Sequence, residues 1–160
     1  MKRRSFWILL LLIAVGADRP PATPGSGTRP RLDVDFRQVT VFGVLVLPDQ
    51  PEVIDPKLTK LRKQLLRLKP NSGFQFRGSE SRRLTPGESL TADLGDGVDA
   101  RIELVETMNR KGKIQFKFTL LVDGKPEFAT TVTTPPNQVF YIEKILPRTH
   151  QRLLIGVGGR

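Results

Sequence analysis

Residues 98–122 read VDARIELVETMNRKGKIQFKFTLLV. Val98, Ala100, Ile102 and Leu104 alternate with Asp99, Arg101 and Glu103; further on, Ile114, Phe116, Phe118, Leu120 and Val122 alternate with Gln115, Lys117 and Thr119. A period of two marks a strand with one buried and one wet face, so the stretch predicts two half-buried strands. Between them, Asn109-Arg110-Lys111-Gly112 has the chemistry of a hairpin loop, which makes the two strands antiparallel neighbours.

Outward from this hairpin the same signals recur. Asp123-Gly124 opens a second tight turn into Phe128–Thr134, and Gly95-Asp96-Gly97 is what a turn before Val98 requires. Further strands are expected at Phe74–Leu84, Ser89–Leu94, Val139–Leu146 and Leu153–Val157, with consecutive antiparallel pairing as the simplest arrangement. The stretch Val39–Leu47, VTVFGVLVL, differs because nearly every position is apolar, which implies cover on both faces. One helix over about residues 56–69 would supply that cover. Asp55 is its N-cap, Pro56 its first residue, Leu58, Leu61, Leu65 and Leu68 its apolar stripe, and Pro70 its stop. The expected fold is therefore mostly β to α+β: antiparallel, sandwich-like sheets with one amphipathic helix near the start of the domain.

The chain has 160 residues, which fits one domain, and no cysteine. Disulfides, thiolate metal sites and a cysteine nucleophile are thereby excluded, and with a single histidine so is a His/Cys zinc site. Lys2, Arg3 and Arg4, the apolar run Phe6–Val15 and then Gly16-Ala17 follow the pattern of a secretory signal peptide cleaved after residue 17. The apolar run falls short of the roughly 20 residues a spanning helix needs, so no transmembrane segment is expected in the mature chain. Arg3, Arg4 and Phe6 also fit a twin-arginine pattern, whereas the very apolar Leu9–Leu12 core points to the general secretory route. Residues 18–31, DRPPATPGSGTRPR, read as a Pro/Gly-rich linker, and residues 32–158 as a single β-rich domain. Loss of Lys2, Arg3 and Arg4 lowers the formal charge from +10 to +7, so the basic excess belongs to the mature chain.

Lys60, Lys63 and Arg67 project from the side of the helix opposite its leucines, flanked by Arg62, Lys57 and Lys69, with no acidic residue among them. Neighbouring like charges on a helix repel, so a helix shaped by stability alone would intersperse glutamates; the bias points to an anionic partner. A solvated face in a basic protein is the plainer account of the same residues. Arg82 with Arg83, and Arg110, Lys111 and Lys113 at the hairpin tip, are two further basic groups that could extend such a face. The candidate partners are an envelope protein or an anionic polymer or lipid surface. Nucleic acid is disfavoured, because the mature chain has one tyrosine, no tryptophan and phenylalanines mostly in core phase, leaving few stacking platforms.

No cofactor, metal site or catalytic residue is indicated. In DLGDGVD, Asp93, Asp96 and Asp99 lack the spacing of a calcium loop and read as turn residues. His150 has no evident orienter or nucleophile beside it, and the motifs of serine hydrolases, phosphate-binding loops and zinc proteases are not present.

From about Leu58 to Ile155 the chain, with LRKQL, RRLTPGES, FATTVTT and LLIGV, resembles uncharacterised small exported bacterial β-rich proteins. The tail from Thr130 to Gly156 is distantly similar to the C-terminal strands of secretin-type outer-membrane proteins. These resemblances imply an envelope accessory or assembly role rather than catalysis. The expected function is a non-enzymatic, exported, periplasmic or extracellular interaction domain of the cell envelope. Its basic surface would dock on an anionic polymer, lipid or protein. The alternative is a small carboxylate-dependent hydrolase.

Overall fold

A computed structural model describes residues 35–160. The expected signal peptide, the expected linker and the first three residues of the expected domain lie outside the described residues. The eight strands are β1 (Arg37–Pro48), β2 (Ser72–Leu84), β3 (Ser89–Asp93), β4 (Val98–Glu106), β5 (Ile114–Val122), β6 (Lys125–Thr134), β7 (Val139–Ile145) and β8 (Arg152–Gly159). They form two four-stranded antiparallel sheets, ordered β2-β1-β8-β7 and β3-β4-β5-β6. The fold is thus mostly β and sandwich-like, with one short helical segment.

The period of two does what it promises. Ala100, Ile102 and Leu104 of β4 and Ile114, Phe116, Phe118 and Leu120 of β5 are buried, and they meet Val39, Val41, Leu45, Leu153, Ile155 and Val157 from the other sheet in one core. Asp123 and Gly124, with φ of 51° and 74°, make the two-residue turn between β5 and β6 that the sequence pattern requires. Consecutive pairing holds for β1 with β2, along β3 to β6, and for β7 with β8. It fails between β2 and β3 and between β6 and β7, where the chain changes sheets, and β8 instead pairs with β1. Alternation reports which face a side chain takes and not which strand lies beside it.

The β1 strand is covered on both sides. Its outward Phe42, Val44 and Val46, with Phe74 of β2 and Leu154 of β8, form a second cluster closed by Leu58 and Leu65. The helical segment is not the single α-helix expected. It begins as a 3-10 helix, Pro56–Leu61, and continues as α1, Arg62–Leu68. The Asp55 carboxylate accepts from the Lys57 N–H at 2.9 Å and from the Phe76 N–H at 3.3 Å, so the cap also fastens the segment to β2. Leu61 and Leu66 pack against the cluster, but Leu68 is 45% exposed. Its neighbour Lys69 pairs with Glu143 on the edge strand β7, and Leu68 is the last residue of α1, left out of the cluster. Among the described residues, no helix is long and apolar enough to cross a membrane.

Candidate functional site

The cationic helix is mounted on a rigid base. Leu58 and Leu65, both fully buried, fix the segment on β1, β2 and β8, and the Tyr141 hydroxyl donates to Gln64 Oε1 at 3.2 Å from β7. Burial of the Tyr141 ring pushes its hydroxyl pKa upward. Two of the six cations are engaged locally: Lys57 sits 5.0 Å over the Phe76 ring, and Lys69 pairs with Glu143 at 2.7 Å. The Lys69 hydrogen bond, its charge and that of Arg152 at 3.3 Å hold the Glu143 carboxyl below the usual carboxylate range, against an opposing effect of burial. Lys60, Arg62, Lys63 and Arg67 are exposed and, among the described residues, none has a carboxylate at ion-pair distance. Spacings of three and four residues put Lys60, Lys63 and Arg67 on one side of the segment.

The hairpin-tip cations belong to another place. Asn109 Oδ1 accepts from the N–H groups of Lys111 (2.9 Å) and Lys113 (3.0 Å), and Gly112 takes φ 69°, so the loop is a formed turn that exposes Arg110 and Lys111 and leaves Lys113 half-buried. Its root is tied to the start of β1: Arg37 Nε donates to the Thr107 carbonyl at 3.0 Å, and the Thr107 hydroxyl bonds Asp35. The helical segment follows the other end of β1, a strand of 12 residues and so roughly 36 Å long. Arg82 and Arg83 lie opposite Val39 and Gln38 and therefore share the hairpin end. The basic residues singled out in the sequence thus divide into two groups, one on the helical segment, whose anchors Tyr141 and Glu143 lie level with Phe42 and Val44 of β1, and one at the start of β1.

Asp93 and Asp96 of DLGDGVD serve the chain reversal, whereas Asp99 lies in β4. Gly95, Asp96 and Gly97 all take positive φ, Asp93 Oδ1 accepts from the Gly95 N–H at 2.7 Å, and Asp96 pairs with Arg77, the extra residue of a bulge in β2. Asp123 pairs with Arg148. One open cavity of about 400 Å³ on the outer face of the first sheet is lined by Gln38, Thr40, Gln138, Val139, Gly158 and Arg160, with no Asp or Glu side chain. Another of about 390 Å³ on the outer face of the second sheet contains Glu103 alone, beside Arg101 and Lys117. Two features escaped the sequence reading. The contact of Gln64 with Tyr141 joins residues far apart in the chain, and exposed Phe36 and Met108 stand beside the hairpin-end cations. Val105, apolar on the polar phase of β4, breaks the alternation just before the turn, which was the available signal. In comparisons with known proteins, no family model, no curated protein and no solved structure matches the chain.

Proposed function

We propose that the protein is a non-enzymatic interaction domain of the cell envelope that docks through the cationic face of its helical segment on an anionic partner. The observation that carries this reading is the set Lys60, Arg62, Lys63 and Arg67, four exposed cations without carboxylate partners among the described residues, on an element whose other side is locked into the core. Clustered cations repel one another and add nothing to the fold, while a fixed array of them raises the local concentration of an anionic surface. Export follows from the signal-peptide pattern of residues 1–17, and an envelope accessory role agrees with the resemblances given above. Hydrolysis by paired carboxylates would need two carboxyl groups converging on one cleft, commonly about 5 to 10 Å apart. Asp93, Asp96 and Asp123 are engaged in local bonds instead, and the three open cavities of about 390 to 400 Å³ offer at most one carboxylate each.

The test is parallel capture from the organism's own envelope fraction by the wild-type protein and by a K60E/K63E/R67E variant. The expected result is a component that wild type retains, that elutes as salt rises through physiological strength, and that the variant does not hold. A component retained equally by both proteins would contradict the helix as docking face.

A further inference from the structure

The end of the sandwich where β1 begins exposes large apolar side chains among cations. Phe36 is 44% exposed just before β1, and Met108 is 51% exposed at the start of the β4–β5 turn. The Arg37 side chain donates to the carbonyl of Thr107, so Phe36 and Met108 each adjoin one partner of the same bond and lie on one rim. Val105, an unpaired bulge residue of β4, adds a third exposed apolar group. Around them stand Arg83, whose guanidinium lies 4.5 Å over the Phe36 ring, and Arg110 and Lys111 on the Asn109-braced turn. Of the side-chain carboxylates there, Asp35 is held by Arg37 and Thr107, and Glu88 accepts from the Thr85 N–H at 2.7 Å.

We infer that this end is a membrane-contact site, in which Phe36 and Met108 enter the interfacial layer of a bilayer while Arg83, Arg110 and Lys111 meet anionic lipid headgroups. The complement of apolar tips ringed by cations is a surface that is apolar below and negative above, which is what an anionic bilayer offers. An acidic protein or polymer would account for the cations and not for the exposed phenylalanine and methionine. The site shares no residue with the helical face.

Because the chain has no cysteine, Met108→Cys gives a single labelling position. The full exported protein, labelled there with a polarity-sensitive fluorophore, is mixed with vesicles of phosphatidylcholine alone or with phosphatidylglycerol added. The expected result is a blue shift and quenching by a shallow lipid-borne quencher on the anionic vesicles only, while the same label at exposed Thr131→Cys reports water throughout. In unlabelled protein, F36S/M108S should lower anionic-vesicle partitioning by at least about tenfold. Absence of vesicle binding, or binding with the position-108 label still in water, overturns the inference. The K60E/K63E/R67E variant should keep the position-108 signal, so failure here and failure of the helical docking reading are separate outcomes.

Discussion

Phe116 and Gln115 are adjacent in β5 and live in different media: the phenyl ring is fully buried between the sheets, and the amide lies on the outer face of the second sheet. Phe116→Ala should therefore cost about 3 to 5 kcal/mol through the cavity it leaves, and Gln115→Ala under about 0.5 kcal/mol. Denaturant titration of the two variants checks this, and equal stabilities would refute the register. Gly156 tests the second cluster. It lies opposite both Phe42 and Tyr141, the Phe42 ring covers it so closely that a Cβ would overlap the ring, and the two rings meet edge to face at 6.0 Å. Gly156→Ala should destabilise by about 1 to 3 kcal/mol, as overpacking does, and pairing with Phe42→Leu should recover part of the loss in the same titration. The Phe116 contrast was legible in the sequence because it needs only the strand's own alternation. The role of Gly156 was not, because it depends on β1 and β8 meeting from opposite ends of the domain.

The helical segment shows how far local signals reach. Asp55, Pro56 and the leucine spacing announced the element, its start and its buried side, and also the charge of its other side. They did not announce that its first half winds as a 3-10 helix, nor that Lys69 is engaged by Glu143, since that carboxylate comes from a strand formed much later in the chain. The pair gives the element a pH dependence. With its folded pKa held down, Glu143 contributes stability above its usual unfolded value, and this is lost as pH falls through the lower folded value. Glu143→Gln should flatten that part of the acid limb. Melting temperatures of wild type and variant between about pH 6 and about pH 3 should converge as the pH drops; a constant gap would mean that the Lys69 pair does not stabilise the folded state. Leu65→Ala should cost about 2 to 5 kcal/mol, since Leu65 is fully buried under the segment.

At the scale of the whole molecule, the sandwich class was legible and its strand order was not. Periodicity assigned each strand a wet face and a dry one, and two dry faces suffice to infer two packed layers. Which strands neighbour one another depends on where the chain changes sheets, and the turns at those crossings resemble the others. The same gap separated the basic groups: sequence lists Lys60, Lys63 and Arg67 with Arg110, Lys111 and Lys113, and only the tertiary contacts seat the first group over the outer side of the first sheet and the second beside the start of β1. The most direct test of the docking account compares wild type with K60E/K63E/R67E in binding to the anionic envelope component that wild type captures. Melting temperature is measured on the same preparations. The account predicts an unchanged or slightly raised melting temperature, as repulsion along the segment is relieved, together with strongly weakened binding whose salt dependence is largely gone. A folded triple variant that binds as wild type does, with the same salt dependence, would contradict it.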